Sequence, residues 1–119
     1  MTYLEKAKEM YALIGQGKMM DAFEKYYHPG VIMIEATGEV RKGKDTNRKF
    51  QEEWLSNVQE THGGGVKAIT SNEEEKTTMV EVWTDVTYQG YRMKMEEVAV
   101  QKWEGDLIVY ERFYYNAPQ

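Results

Sequence analysis

The C-terminal half of the chain leaves few folds open to it. Residues 97–116 read EVAVQKWEGDLIVYERFYYN. Two runs of apolar, β-branched and aromatic residues flank Glu104-Gly105-Asp106, and a glycine-bearing polar tripeptide between such runs specifies a β-hairpin. Upstream, residues 66–70, 76–88 and 91–103 repeat this chemistry, broken by Ser71-Asn72 with the acidic Glu73 to Glu75 and by Gln89-Gly90. Three hairpins in succession predict an antiparallel meander. Strands this long stay wrapped over a core only with bulges or strong twist. The expected bulge is Glu96-Glu97, where the alternation of Met93 and Met95 meets Ala99 and Gln101.

The N-terminal half changes period. Leu4, Ala7, Met10, Tyr11 and Ile14 recur at helical spacing over residues 3–15, and Met19, Met20, Phe23 and Tyr27 do so over 18–27, which predicts a helical hairpin ending at His28-Pro29-Gly30. Residues 31–36, VIMIEA, read as a buried strand with Glu35 at its acidic end, and EVRKG after Gly38 as a short strand or turn. Asp45 or Thr46 is placed to cap a third helix whose aromatic face carries Phe50, Trp54, Leu55 and Val58. His62 and Gly63 to Gly65 are expected to close that helix, with the triple glycine as a flexible connection and Glu73 to Glu75 as a solvated hairpin tip. Helices first and strands afterwards predict an α+β fold, helices on one face of a curved sheet.

Composition removes several function classes. The chain has 119 residues, the size of one domain, residues 1–119. A net charge of −5 argues against a nucleic-acid footprint. With no Cys, disulfides, thiolate metal sites and cysteine nucleophiles are excluded, and two His leave little for a metal centre, so none is expected. No apolar run approaches a membrane span or an export signal, which sets the expectation of a cytoplasmic protein with no membrane partner. Aromatic residues reach 13%, as a lined pocket or an interface would require.

Carboxylates among apolar residues are the candidates for chemistry. Glu111 shares a period-2 face with Val109, Phe113 and Tyr115, while Glu97 sits in the preceding arm and Glu35 at the first strand's end. If two such acids faced one cavity, repulsion would hold one protonated and supply an acid and a base at neutral pH. The competing expectation is a solvated sheet face on which Glu111 pairs with Arg92, Lys94 or Lys102. Trp54, Trp83, Phe113 and Tyr115 are candidates to line a cavity around a flat apolar ligand or, equally, to fill the core. Tyr11 and Tyr88 are candidate hydrogen-bond donors to an oxyanion, and His28 and His62 are expected in loops or caps.

The order of elements, with WEGDLIVYERFYYN as a final hairpin, resembles the nuclear transport factor 2-like superfamily, and within it the SnoaL-like polyketide cyclases and ketosteroid isomerases. That resemblance implies a cystatin-like cone: a strongly curved antiparallel sheet with three N-terminal helices, one pocket, and commonly a homodimer formed through the sheet. It also implies a cofactor-free isomerase or cyclase acting on a small apolar carbonyl compound, with Glu35 at the position of the proton-abstracting carboxylate and Tyr11 near that of the oxyanion-donating tyrosine. The second donor's position holds Val98 or Ala99 here, where Glu97 is the nearest acid, and Asn116 stands where a closing Asp is common. Glu111 fits the pocket acid of the cyclases. Epoxide hydrolysis on this fold would draw on Glu35, Glu111 and Arg112, and a non-catalytic ligand-binding or interaction module is the alternative.

Overall fold

The computed structural model describes residues 1–116. Helix α1, Tyr3–Gly15, starts at a capping box in which the Thr2 hydroxyl accepts from the Glu5 amide while the Glu5 carboxylate accepts from the Thr2 amide. A second acid reaches the same helix end: Glu73 accepts from the Tyr3 and Leu4 amides at 2.8 and 3.2 Å. The acidic hairpin tip therefore has a task, because a carboxylate satisfies the orphan amides and the positive dipole end of a helix.

Helix α2, Met19–Tyr26, passes directly into β1, Tyr27–Ile34, without a break at His28-Pro29-Gly30. Proline cannot donate to a ladder and is tolerated at irregularities. Here β1 follows β6, Leu107–Tyr114, in parallel, and the register slips between Tyr27 and Ile32, where the proline lies. Strand β2, Val40–Lys42, pairs antiparallel with β1, and helix α3, Lys44–Asn57, follows from Gly43, whose φ of 91° starts the helix in place of an Asp45 or Thr46 cap.

The stretch expected to be a flexible connection is strand. β3, Val58–Asn72, includes His62 and all three glycines, and pairs with β4, Thr77–Tyr88. The glycines serve close approach: a Cβ at Gly63 would lie 2.9 Å from Trp83 Cη2, and one at Gly65 3.3 Å from Trp83 Nε1. Three register shifts along β3 bend it, at Val58/Glu60, Thr61/Gly63 and Val66/Ala68. By contrast β4 meets β5, Tyr91–Glu104, in unbroken register, so no bulge interrupts that pairing at Glu96-Glu97. The shift falls at Lys102/Trp103 against β6. It leaves Val109 as the extra residue, and Ile108 rather than Val109 shares the inner face with Glu111.

The sheet order is β2-β1-β6-β5-β4-β3, curved and not closed, antiparallel throughout except at β1/β6. The helices cover one face. Ala7 and Met10 of α1 and Ala22, Phe23 and Tyr26 of α2 pack on Val31, Met33, Trp103 and Ile108 of the strands. No helix among the described residues is long and apolar enough to cross a membrane.

Candidate functional site

Strand alternation decides what faces the helices. On β5 the inward residues are Glu97, Ala99, Gln101 and Trp103; the first three pair with Val82, Val80 and Thr78 of β4, and the Trp103 amide donates to the Lys76 carbonyl just before β4. On β6 Glu111 stands opposite Gln101 and beside Met33 of β1. Between this face and the helices lies a cavity of about 890 Å³ bordered by Met33, Val82, Val86, Met95 and Phe113. Half-exposed Ile14, Phe50, Leu55 and Val66 also border it and give it an apolar mouth.

The polar residues that border it include Glu35, Glu97, Glu111, Tyr11, Tyr27 and Arg41. Glu111 is 1% exposed, which removes the expectation of a surface pair with Arg92, Lys94 or Lys102. Both its oxygens accept: Tyr27 Oη donates to Oε1 at 2.5 Å and Gln101 Nε2 to Oε2 at 2.7 Å. Burial raises its pKa to about 7 against those two donors, with Glu97 and Glu35 adding repulsion. Glu97 also stands at about 7, raised by burial and then by Glu35, and no hydrogen bond from the described residues offsets this. Tyr11 and Tyr27 are pushed well above the ordinary phenol range, first by burial and then by the Glu111 charge, so both keep their protons.

Glu35 is held differently. Arg41 Nη2 donates to Oε1 at 2.8 Å and Tyr115 Oη to Oε2 at 2.9 Å. Arg41 is itself fixed, its Nε donating to Asn47 Oδ1 at 3.0 Å and its guanidinium lying 3.5 Å over the Phe50 ring. The Asn47 amide donates back to the carbonyls of Arg41 and Gly43. The arginine of this site is thus Arg41 on β2. Arg112, considered for an epoxide-hydrolase set, is exposed beside Tyr114.

Among the aromatic candidates, Phe113 borders the cavity, as does Trp54, stacked on Tyr88 at 4.6 Å. Trp83 also borders it, but its indole crosses Gly63 and Gly65 and lies under the Lys94 ammonium, on the side opposite inward-facing Val82 and Thr84. Tyr115 enters through its bond to Glu35. Sequence reasoning passed over Tyr27, Arg41, Thr78 and Gln101. Gln101 carried a usable signal, a polar residue at an inward position between Ala99 and Trp103. Among the described residues no cluster of three His, Cys, Asp or Glu is arranged to hold a metal.

Residues 1–115 match the family model described as a SnoaL-like domain. A solved structure from Mesorhizobium loti, provisionally described as a SnoaL-like polyketide cyclase and also labelled carbohydrate phosphatase, is 33% identical, covers 97% of this chain and 100% of its own, and superposes with a TM-score of 0.86. A provisionally described polyketide cyclase from Pseudomonas putida shares the fold at 19% identity and a TM-score of 0.81, covering 98% of this chain and 92% of its own. So does a nuclear transport factor 2-like protein from Anabaena variabilis at 18% and 0.77, covering 98% and 90%. No curated protein matches the chain.

Proposed function

The chain belongs to the SnoaL-like domain family, and from that premise we propose that residues 1–119 form one domain that binds a small apolar carbonyl compound and moves a proton on it, as a cofactor-independent isomerase or cyclase. The observation that carries this reading is Glu97: a cavity carboxyl without a hydrogen-bond partner among the described residues, poised near pH 7 beside a second carboxyl, Glu111, poised likewise. Ionised Glu97 takes the proton from the carbon next to the carbonyl. The C–H electron pair moves into an enolate, whose oxygen is met by the Tyr11 hydroxyl. The proton returns to another carbon in an isomerisation; in a cyclisation the enolate carbon attacks a second carbonyl, whose π electrons move to its oxygen, and that oxygen takes the proton back from Glu97. Glu35, held by Arg41 and Tyr115, adds to the rise in the Glu97 pKa and so supports its basicity.

The test is hydrogen–deuterium exchange of the methyl protons of 2-acetylnaphthalene in D₂O. Exchange faster than buffer, lost in Glu97→Gln, is expected. Exchange at the buffer rate with binding retained leaves the ligand-binding module in its place.

An interaction role has an observation of its own. On the outer face Met79 pairs with Val100 and Val98 with Tyr114, and Met79 and Tyr114 are 42% and 50% exposed. A homodimer through this face is the partner proposed, and a light-scattering mass of one chain would exclude it.

A further inference from the structure

Five polar groups, of which Glu111 and Tyr11 border the cavity and Trp103, Thr78 and Gln101 are buried behind it, form one hydrogen-bonded network, and donor bookkeeping fixes its direction. Trp103 Nε1–H can only donate, and it donates to Thr78 Oγ1 at 2.9 Å. The Thr78 hydroxyl then spends its single proton on Gln101 Oε1 at 2.6 Å. That pins the amide of Gln101, a fully buried side chain, with its NH₂ pointing the other way. Its two hydrogens go to Glu111 Oε2 at 2.7 Å and Tyr11 Oη at 3.1 Å.

A reversed amide would set oxygen against oxygen at the Glu111 contact and leave the Thr78 proton without an acceptor. It would be tolerated only with a proton on Glu111. Conversely, because Tyr11 receives a hydrogen from Gln101, its own proton is left for something else, and no described residue accepts it.

We propose that Gln101 is a positioning residue that sets the polarity of this end of the cavity, holding Glu111 as an acceptor and turning the Tyr11 proton toward a ligand oxygen. The ligand half of this rests on the proposed carbonyl chemistry, whereas the Glu111 half stands without any ligand. The charged and titratable groups acting on Glu111 are Tyr27, Tyr11, Glu97 and Glu35. None of them hydrogen-bonds to the Trp103 indole or the Thr78 hydroxyl, so that end of the relay can be altered separately.

The experiment follows the Glu111 carboxyl by NMR titration in the whole chain, comparing Thr78→Val, Thr78→Ser and Gln101→Met with the unaltered protein. Releasing or removing the amide donor is expected to raise the Glu111 midpoint by about one unit, a tenfold change in proton affinity. Thr78→Ser, which keeps the hydroxyl, should leave it in place. A Glu111 midpoint unmoved in both Thr78→Val and Gln101→Met overturns the proposal. Should Thr78→Val fold poorly because Trp103 loses its acceptor, Gln101→Met decides alone, since it leaves the Trp103–Thr78 bond intact.

A second readout uses 2-acetylnaphthalene labelled at the carbonyl carbon. Its infrared carbonyl band in the cavity should lie below its position in hexane, return upward in Tyr11→Phe, and do so partly in Gln101→Met. A band equally lowered in Gln101→Met and the unaltered protein contradicts the Tyr11 half. Failure of the ketone to bind at all counts against the proposed function, while the Glu111 titration still judges the relay.

Discussion

Glu111→Gln should remove the pH dependence that this carboxyl imposes on folding. Its pKa rises from 4.5 to about 7 in the folded chain, chiefly by burial, a shift of roughly 2.5 units that converts to about 3 kcal/mol. The sign follows from which state binds the proton more tightly. Below pH 4.5 the carboxyl is protonated in both states and folding bears no penalty. Between 4.5 and about 7 the unfolded chain ionises while the folded one does not, and stability falls; above 7 the loss is complete. The introduced amide can be satisfied in place, its oxygen accepting from Gln101 and its NH₂ donating to the Tyr27 oxygen, whose hydroxyl turns to suit. Repulsion from Glu97 is part of what raises Glu111, and it disappears with the carboxyl alongside the burial penalty. Both effects have the same sign. Urea unfolding at pH 4.5 and pH 8 should therefore show the substituted protein gaining about 3 kcal/mol relative to the original on going to the higher pH. Parallel pH profiles for the two proteins would refute the burial argument, and with it the basis for an acid poised near neutrality.

Three other substitutions test neighbouring parts of the structure. Gly63→Ala drives a Cβ to within 2.9 Å of Trp83 Cη2 and should destabilise by about 1–3 kcal/mol in urea melts; no change would mean that the indole moves aside freely. Arg41→Met leaves the Glu35 carboxylate, 14% exposed, without its cation and strips Asn47 of its donor, a loss of about 3 kcal/mol or more by thermal unfolding; a small loss would mean that solvent reaches Glu35 readily. Glu73→Ala removes the acid that caps α1. Ser71 and the Tyr3 and Leu4 amides hold the Glu73 carboxyl below its usual range, so its contribution exists above pH 4.5 and fades as the pH falls through the folded value. The difference in melting temperature between the two proteins should shrink in acid, and a constant difference would assign the effect to something other than charge.

Periodicity and turn chemistry located most of the fold. The helical period of α1, the meander after residue 66 and the final hairpin at Glu104-Gly105-Asp106 were all legible, because each depends on residues close in sequence. The failures share a cause. His62 and the three glycines read as a helix stop followed by a hinge, since what makes glycine necessary there is Trp83, some twenty positions away on the next strand. Pro29 read as a breaker because nothing local says that β6 tolerates a slip between Tyr27 and Ile32. Arg41 lay in a stretch too short to show a period, and only the pairing of Met33 with Arg41 sets it against the end of β1, where Glu35 follows.

The site itself turns on register more than on face. Alternation tells which residues of a strand point inward, but it does not say which residue of the next strand each one meets. Glu111 acquires its character from facing Gln101 and Met33 and from Tyr27 reaching it, and all three depend on the single extra residue in β6 at Val109. Without that extra residue the alternation running from inward-facing Ile108 would send Glu111 to the outer face, where the same glutamate would be an ordinary surface carboxylate. A bulge costs one residue wherever it falls, so composition leaves its place open. What fixes it is the packing of Trp103 and Ile108 against α1 and α2. The apolar core of the helices thereby determines which acid of the last strand titrates inside the cavity.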